Sequence, residues 1–228
     1  MAAALFVTGT DTGVGKTLVS CALLRRYGRL GLVAIGMKPV AAGLDEDGLN
    51  EDVEALRSAS SPALVALLEP RQINPYALRQ PVAPNLAAAA EGIEIRFPPI
   101  VSAYDALRRQ ADAIVVEGVG GFRVPLGPDG DSADLAARLG LPVILVVGLR
   151  LGCINHALLT QEAIAARGLQ LAGWVANCID PQMAQSDANI EILGQYLAAP
   201  LLGILPFMAI PDCEKAADLL HLADAGAA

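Results

Sequence analysis

The segment Gly9-Thr10-Asp11-Thr12-Gly13-Val14-Gly15-Lys16-Thr17 constrains this chain more than any other. It follows the apolar run Ala4 to Thr8 and precedes a helical pattern over Lys16 to Leu30, so it predicts strand, glycine-rich turn and helix start in that order. The backbone N–H groups of such a turn, together with the positive end of the helix dipole, form a cradle for phosphate. In that setting Lys16 reaches the terminal phosphates and the Thr17 hydroxyl ligates Mg2+. The strict pattern has glycine where Thr10 stands, so this is a variant loop. A glycine turn without a ligand is the plainer reading, but Gly-Lys-Thr opening a helix directly after an apolar strand weighs against it.

Elsewhere, short apolar runs alternate with longer segments of helical pattern, which predicts an α/β fold with a doubly wound, mainly parallel sheet. The expected strands are Ala4 to Thr8, Leu32 to Lys38, Ala113 to Glu117, Pro142 to Gly148, Leu171 to Asn177 and Leu201 to Leu205. Each is nearly continuous in apolar residues, as strands covered on both faces are. Helices are expected over Lys16 to Leu30, Glu51 to Ser58, Pro99 to Ala111, Ile154 to Arg167 and Asp187 to Ala198, with one more over the tail Glu214 to Ala225. The four prolines between Pro70 and Pro84 argue for a long loop or lid without regular structure. Ala87 to Ala90 is the one low-complexity tract. With 228 residues, 54% of them hydrophobic, and no linker, a single domain over residues 1–228 is expected.

A formal charge of -8 provides no basic field for a phosphate backbone, which excludes nucleic acid as a partner. Cys21, Cys153, Cys178 and Cys213 form no paired motif, so free thiols in a reducing compartment are expected. Met1 to Val7 lacks a basic leader and reads as a strand rather than a signal peptide. The longest uncharged apolar run, Leu141 to Leu149, falls well short of the ~20 residues that span a bilayer. The expectation is a cytoplasmic protein without a membrane partner.

Two further groups belong to the same crevice by position. Glu117 ends the strand Ala113 to Val116 and leads into Gly118-Val119-Gly120-Gly121, which places a carboxylate at the carboxyl end of the sheet, suited to a metal. Taken alone it also fits a solvated loop acid. Lys38 closes the strand before Pro39 and there can screen phosphate charge, although a lysine at a strand end is common. The acidic run Asp45, Glu46, Asp47, Glu51, Asp52 and Glu54 is equally compatible with a solvated loop and helix start. His156 and His221 are too few for a metal cluster, and Trp174 reads as core.

Taken in order, these pieces resemble the dethiobiotin synthetases of the P-loop NTPase superfamily. The resemblance rests on Thr8 to Thr17, Lys38-Pro39-Val40, Asn74-Pro75-Tyr76, Val116 to Gly121, Leu151-Gly152-Cys153-Ile154-Asn155-His156 and Gly173-Trp174-Val175-Ala176-Asn177. It implies an ATP-dependent ligase that closes a cyclic urea on 7,8-diaminopelargonate with CO2, yielding dethiobiotin, ADP and phosphate. It implies Mg2+ on Thr17, Asp52 and Glu117, with Asp47 and Glu51 as alternatives among the acids. Lys16 and Lys38 would act on the phosphates. Thr12, Gly13, Val14, Gly15, Leu18, Gly118, Val119 and Gly120 would complete the ATP contacts, with Asn177 on the adenine and Leu205, Pro206 and Phe207 in the base pocket. Substrate would meet Thr12, Lys38, the position of Ala42, and Gly152, Cys153 and Asn155, the last three contributed across a homodimer. Two positions depart from the pattern: Gly13 stands where relatives can carry an acid, and Ala42 where they can carry a serine. Asp11 stands where the related dimeric partitioning ATPases have a signature lysine, which weighs against that neighbouring family. A nucleotide-switched dimeric scaffold and a cobyrinate-type amide synthesis domain are the rival readings.

Overall fold

The computed structural model describes residues 3–221. The first half of the chain contains β1 (Ala3–Gly9), α1 (Lys16–Arg29), β2 (Ala34–Met37), β3 (Val40–Ala42), α2 (Glu51–Ala59), α3 (Pro62–Val65), α4 (Pro70–Ile73), β4 (Tyr76–Leu78), α5 (Pro84–Ala90) and α6 (Phe97–Arg108). The second half contains β5 (Ala113–Glu117), β6 (Pro125–Gly127), β7 (Gly130–Asp131), α7 (Ser132–Leu139), β8 (Val143–Leu149), α8 (Cys153–Ala166), β9 (Leu171–Cys178), α9 (Ser186–Tyr196), β10 (Leu201–Leu205) and α10 (Cys213–Leu219).

Six strands form the central sheet in the order β10-β9-β8-β1-β5-β2, and every neighbouring pair is parallel. Parallel neighbours need crossover helices, which cover both faces and explain the unbroken apolar runs of the inner strands. Alternate residues divide between the faces. Leu5, Val7, Val115, Ile144 and Val146 pack with α1, α2 and α10. Phe6, Ile114 and Val116 pack with α6 and α7, and Leu145, Val147 and Trp174 with α8 and α9. The doubly wound, parallel α/β fold read from the sequence is the one observed, and the six expected strands are its six strands with ends shifted by two residues at most.

The register positions the chemistry. Val7 lies beside Glu117, and Met37 lies beside Val116, so Lys38 leaves β2 next to Glu117 where β5 ends. The turn after β1 opens at the same edge.

Two expectations need correction, and several short elements went unread. Pro70 to Pro84 is not devoid of regular structure: α4 begins on Pro70 and β4 lies between Pro75 and Pro81. A proline in the first helical turn forfeits only an N–H that has no intrahelical acceptor, so it starts a helix there rather than breaking it. Ala87 to Ala90 is helical within α5, again behind an N-terminal proline. The tail helix ends at Leu219, and the remainder of that expectation, 222–225, lies outside the described residues. The helix α7 escaped sequence reading altogether because it is short. Its signal was local: Asp131 and Asp134 form a reciprocal capping box, and Gly140 ends the helix at φ 65. No helix among the described residues is long and apolar enough to cross a membrane.

Burial works against ionisation of Asp131, but the Asp134 N–H and the nearby Arg123 and Arg167 outweigh it and hold the carboxyl below the ordinary 3.8. A depressed carboxyl stabilises the fold above its unfolded pKa, and that contribution fades as acid protonates it. Asp131→Ala is expected to lower unfolding stability by about 1–2 kcal/mol at pH 7, and Asp131→Asn by less because the cap survives. Urea midpoints at pH 7 and pH 3.5 check this: the Asp131→Ala deficit should shrink at the lower pH.

Candidate active site

The loop between β1 and α1 turns on two glycines in the left-handed region, Gly13 at φ 72 and Gly15 at φ 92. Gly15 is the N-cap of α1, and it supplies no side-chain acceptor to the first turn, which also contains no acid. The free N–H groups of that turn are therefore left for an anion. Lys16 is buried and donates to the Asp11 carbonyl at 3.0 Å, folding its ammonium back over the loop. Burial, and then the charge of Lys38, lower its pKa to about 8. Asp11 accepts from the Thr12 N–H at 2.7 Å and pairs with Arg150 at the end of β8. These contacts set its carboxyl below the ordinary value, the Thr12 N–H contributing most and burial opposing.

Across the crevice lies a dense charge cluster. Lys38 Nζ donates to Glu117 Oε1 at 2.5 Å, to Asp52 Oδ2 at 2.9 Å and to the Gly118 carbonyl at 3.3 Å, which uses all three ammonium protons. Lys38 is 2% exposed and Glu117 0%. Burial alone would lower the Lys38 pKa, yet Glu117 and Asp52 overcome it and hold the group charged above its ordinary value. Burial likewise pushes Asp52 up, and Lys38 and Thr17 together bring it below the ordinary carboxylate value. Thr17 Oγ1 lies 2.6 Å from Asp52 Oδ1 and 3.0 Å from Glu117 Oε1, and its single proton serves one of them at a time.

The cluster has more acceptor oxygen than protons to fill it. Glu117 Oε2 is buried without any hydrogen-bond partner. Two carboxylates and a hydroxyl are hard oxygen donors of the kind Mg2+ takes, the rest of its shell coming from water and phosphate. Among the described residues, no three His, Cys, Asp or Glu converge as an all-protein cage.

A cavity of about 1350 Å3 joins the loop to the cluster. Of the residues singled out from sequence, Thr12, Gly13, Gly15, Lys16, Thr17, Leu18, Lys38, Ala42, Asp52, Val119 and Gly120 line it. Glu117 sits beneath it, and Val14 is buried behind the loop. Asn177 touches the loop from β9, donating to the Val14 carbonyl at 2.8 Å. Leu205 is buried in the sheet while Pro206 and Phe207 are exposed just beyond it. Gly152, Cys153 and Asn155 do not line the cavity: Gly152 caps α8 at φ 93, Cys153 is buried, and Asn155 is exposed. Glu51 also lines the cavity, but only Asp52 of the acidic run reaches Thr17 and Lys38.

Sequence reading assigned no role to Asn74. Its amide donates to the Lys38 carbonyl at 2.6 Å and to the Tyr76 carbonyl at 3.1 Å, which fixes the backbone that carries the lysine. Pro81 to Pro84 and Arg123 also line the cavity, bringing together distant segments that no local pattern announces.

A strand, phosphate loop and helix at the carboxyl edge of a parallel sheet, with a buried acid on the neighbouring strand, define a P-loop NTPase. The fold resembles the septum site-determining protein MinD complexed with Mg-ADP from Pyrococcus horikoshii (TM-score 0.56, 15% identity, 90% of this chain and 82% of that one). It also resembles MinD of the Aquifex aeolicus MinC:MinD complex (TM-score 0.58, 15% identity, 95% and 86%). The family described as "AAA domain" matches residues 3–215. The sequence is 57% identical over 224 residues to the ATP-dependent dethiobiotin synthetase BioD of Aromatoleum aromaticum, covering 96% of this chain and 97% of that protein. It is 52% identical over 221 residues to that of Ralstonia nicotianae, covering 96% and 95%. The chain belongs to the ATP-dependent dethiobiotin synthetase family.

Removing one member of a buried ion pair strands the other charge. Lys38→Met is expected to cost about 3–5 kcal/mol of unfolding stability. The double variant Lys38→Met/Glu117→Gln should recover most of that loss, and denaturant titration of the three proteins reads the difference.

Proposed function

We propose that this enzyme converts 7,8-diaminopelargonate, CO2 and ATP into dethiobiotin, ADP and phosphate in biotin biosynthesis, with Mg2+ held by Thr17, Asp52 and Glu117. What chiefly supports the reading is the charge cluster: a fully paired buried Lys38 beside two carboxylates and the Thr17 hydroxyl, opposite an uncapped helix start. The names of close relatives, ATP-dependent dethiobiotin synthetases, support the same substrate class.

One substrate amine adds to CO2, forming a C–N bond and, on losing a proton, a carbamate. A carbamate oxygen attacks the terminal phosphorus of ATP, the bond to the bridging oxygen breaks, and ADP leaves. The second amine then attacks the carbamoyl carbon, the C–O bond breaks, phosphate departs, the amine nitrogen gives up a proton to solvent, and the ring closes. The difficulty is electrostatic, since an anion must approach a polyanion. Lys16 and the loop N–H groups would hold the phosphates, and Lys38 would stabilise charge on the transferred group. Mg2+ would neutralise phosphate oxygens when bound. Gly13, Val14, Leu18 and Gly118 to Gly120 would complete the ATP contacts, with Asn177, Leu205, Pro206 and Phe207 on the base. Thr12 would meet substrate, while Ala42 offers no hydroxyl to it.

The same proposal includes a single-domain, cytoplasmic homodimer. The free N–H groups of α8 behind Gly152 suit a carboxylate, and Cys153 and Asn155 lie on that first turn. Leu151 beside them is 97% exposed, as an interface residue would be in one isolated copy. The substrate tail would thus bind where the partner's α8 faces the cavity.

Dethiobiotin formation should require ATP, Mg2+, bicarbonate and the diamine together, and Lys16→Ala should abolish it. ATP-driven self-association without such turnover would instead favour a nucleotide-switched scaffold. Lys38→Gln should lower kcat by about 10²-fold or more while changing the KM for ATP less. A normal kcat with only a raised KM would reject a role in phosphoryl transfer. Gly152→Val should weaken diamine binding far more than ATP binding. Mixed with Lys16→Ala it should restore activity through at most one intact composite site per dimer; no recovery despite proven subunit exchange would remove the shared-site geometry.

A further inference from the structure

Besides the Thr10 N–H on the Val146 carbonyl and the Asp11–Arg150 pair, the phosphate loop is fastened to the sheet through Val14. Its side chain is fully buried in a socket between β1 and β8. A Cβ on Gly9 would fall 2.5 Å from Val14 Cγ2, and one on Gly148 would fall 2.7 Å from Cγ1, so both strands must present glycine for the plug to seat. Its carbonyl is held from a third strand by Asn177 Nδ2 at 2.8 Å. A carbonyl oxygen only accepts, so the group facing it must be the amide NH2. Asn177 lies beside Gly148 on one side and Leu205 on the other in the sheet register, and it is 5% exposed. A Cβ on Gly15 would collide with the same amide, so the loop backbone passes Asn177 with no side chain between them.

A trans peptide points its C=O and the next N–H in opposite directions. Held by Asn177, the Val14–Gly15 peptide therefore turns the Gly15 N–H away from Asn177, and Gly15 lines the cavity on its other side. Among the described residues the Asn177 side chain makes this one hydrogen bond, which leaves its second N–H and Oδ1 for a ligand group. A single side chain thus stands between the expected base position and the backbone donors of the loop.

We propose that Asn177 is a positioning residue of the phosphate loop, holding the Val14 carbonyl so that the loop's grip on phosphate depends on Asn177 even when no base is present. The proposal rests on the reading that this loop binds ATP with Mg2+. A residue that acted only through the base would leave the binding of a base-free polyphosphate unchanged.

The test compares ATP with inorganic tripolyphosphate, each with Mg2+, by calorimetry on the full-length wild type, Asn177→Ala and Asn177→Asp. The aspartate keeps the shape of the side chain, so packing is retained if the alanine variant proves unstable. Both variants are expected to bind tripolyphosphate about ten-fold or more weakly than wild type, the size of one lost hydrogen bond. The Asn177→Asp deficit relative to wild type should shrink as pH falls from 8 to 5.5, because a protonated carboxyl can again donate to the Val14 carbonyl. The Asn177→Ala deficit should not. Loss of ATP affinity with tripolyphosphate affinity intact would overturn the proposal, and so would an acid-insensitive Asn177→Asp deficit. Wild-type protein that bound ATP but not tripolyphosphate would overturn it as well. Wild-type protein that bound neither would also remove the reading on which it rests.

Discussion

Lys38 and Glu117 meet at 2.5 Å with almost no water around either, where β2 and β5 leave the sheet side by side. Burying two charges carries a large desolvation cost that mutual attraction offsets only when the geometry is good and the leftover protons and lone pairs are satisfied. Here the parallel register supplies the geometry, since pairing Met37 with Val116 sets Lys38 next to Glu117 without further adjustment. Asp52 and the Gly118 carbonyl take the remaining ammonium protons. A shift of the β2–β5 register by one residue would leave a bare carboxylate in the core, so pair and register specify each other.

The pair also explains the asymmetry of the crevice. On the loop side there is excess donor capacity: an uncapped helix start and a lysine turned back on its own loop. On the strand side there is excess acceptor capacity, with Thr17 shared by two carboxylates and Glu117 Oε2 unpartnered. Under the proposed function a polyanion would take the first and a hard cation the second, and Mg2+-triphosphate is both at once. Thr17 joins the halves because it lies one residue beyond Lys16 on the same helix turn.

Fastening of the loop has a comparable logic. A loop that presents its amides to a ligand cannot spend them on the protein, so its stability must come from elsewhere. It comes from the Val14 side chain in its glycine-lined socket and from the Asn177 amide on the Val14 carbonyl. Lys38 is steadied in the same way from outside, by Asn74 on its backbone carbonyl. Both asparagines act on main-chain oxygen, so neither competes for the ionic groups of the cluster.

Much of this was legible in the sequence. Continuous apolar runs fixed by period and length named all six strands of the main sheet, and the Gly-Lys-Thr turn marked the phosphate loop, because these signals are local and cooperative within a few residues. Local chemistry also contained the proline-led α4 and α5 and the capping box of α7, although helices of four to eight residues give too little periodicity to be recognised. The choice of Asp52 over Glu51 and Asp47 needed the resemblance, for all three share one run of acids. Tertiary structure alone decided that Asp52 reaches Thr17 across a sequence separation of 35, that Asn177 holds Val14 across 163, and that Asn74 holds Lys38 across 36. Such contacts are set by strand order and register, which depend on how whole elements pack and leave no periodic trace in the residues that meet.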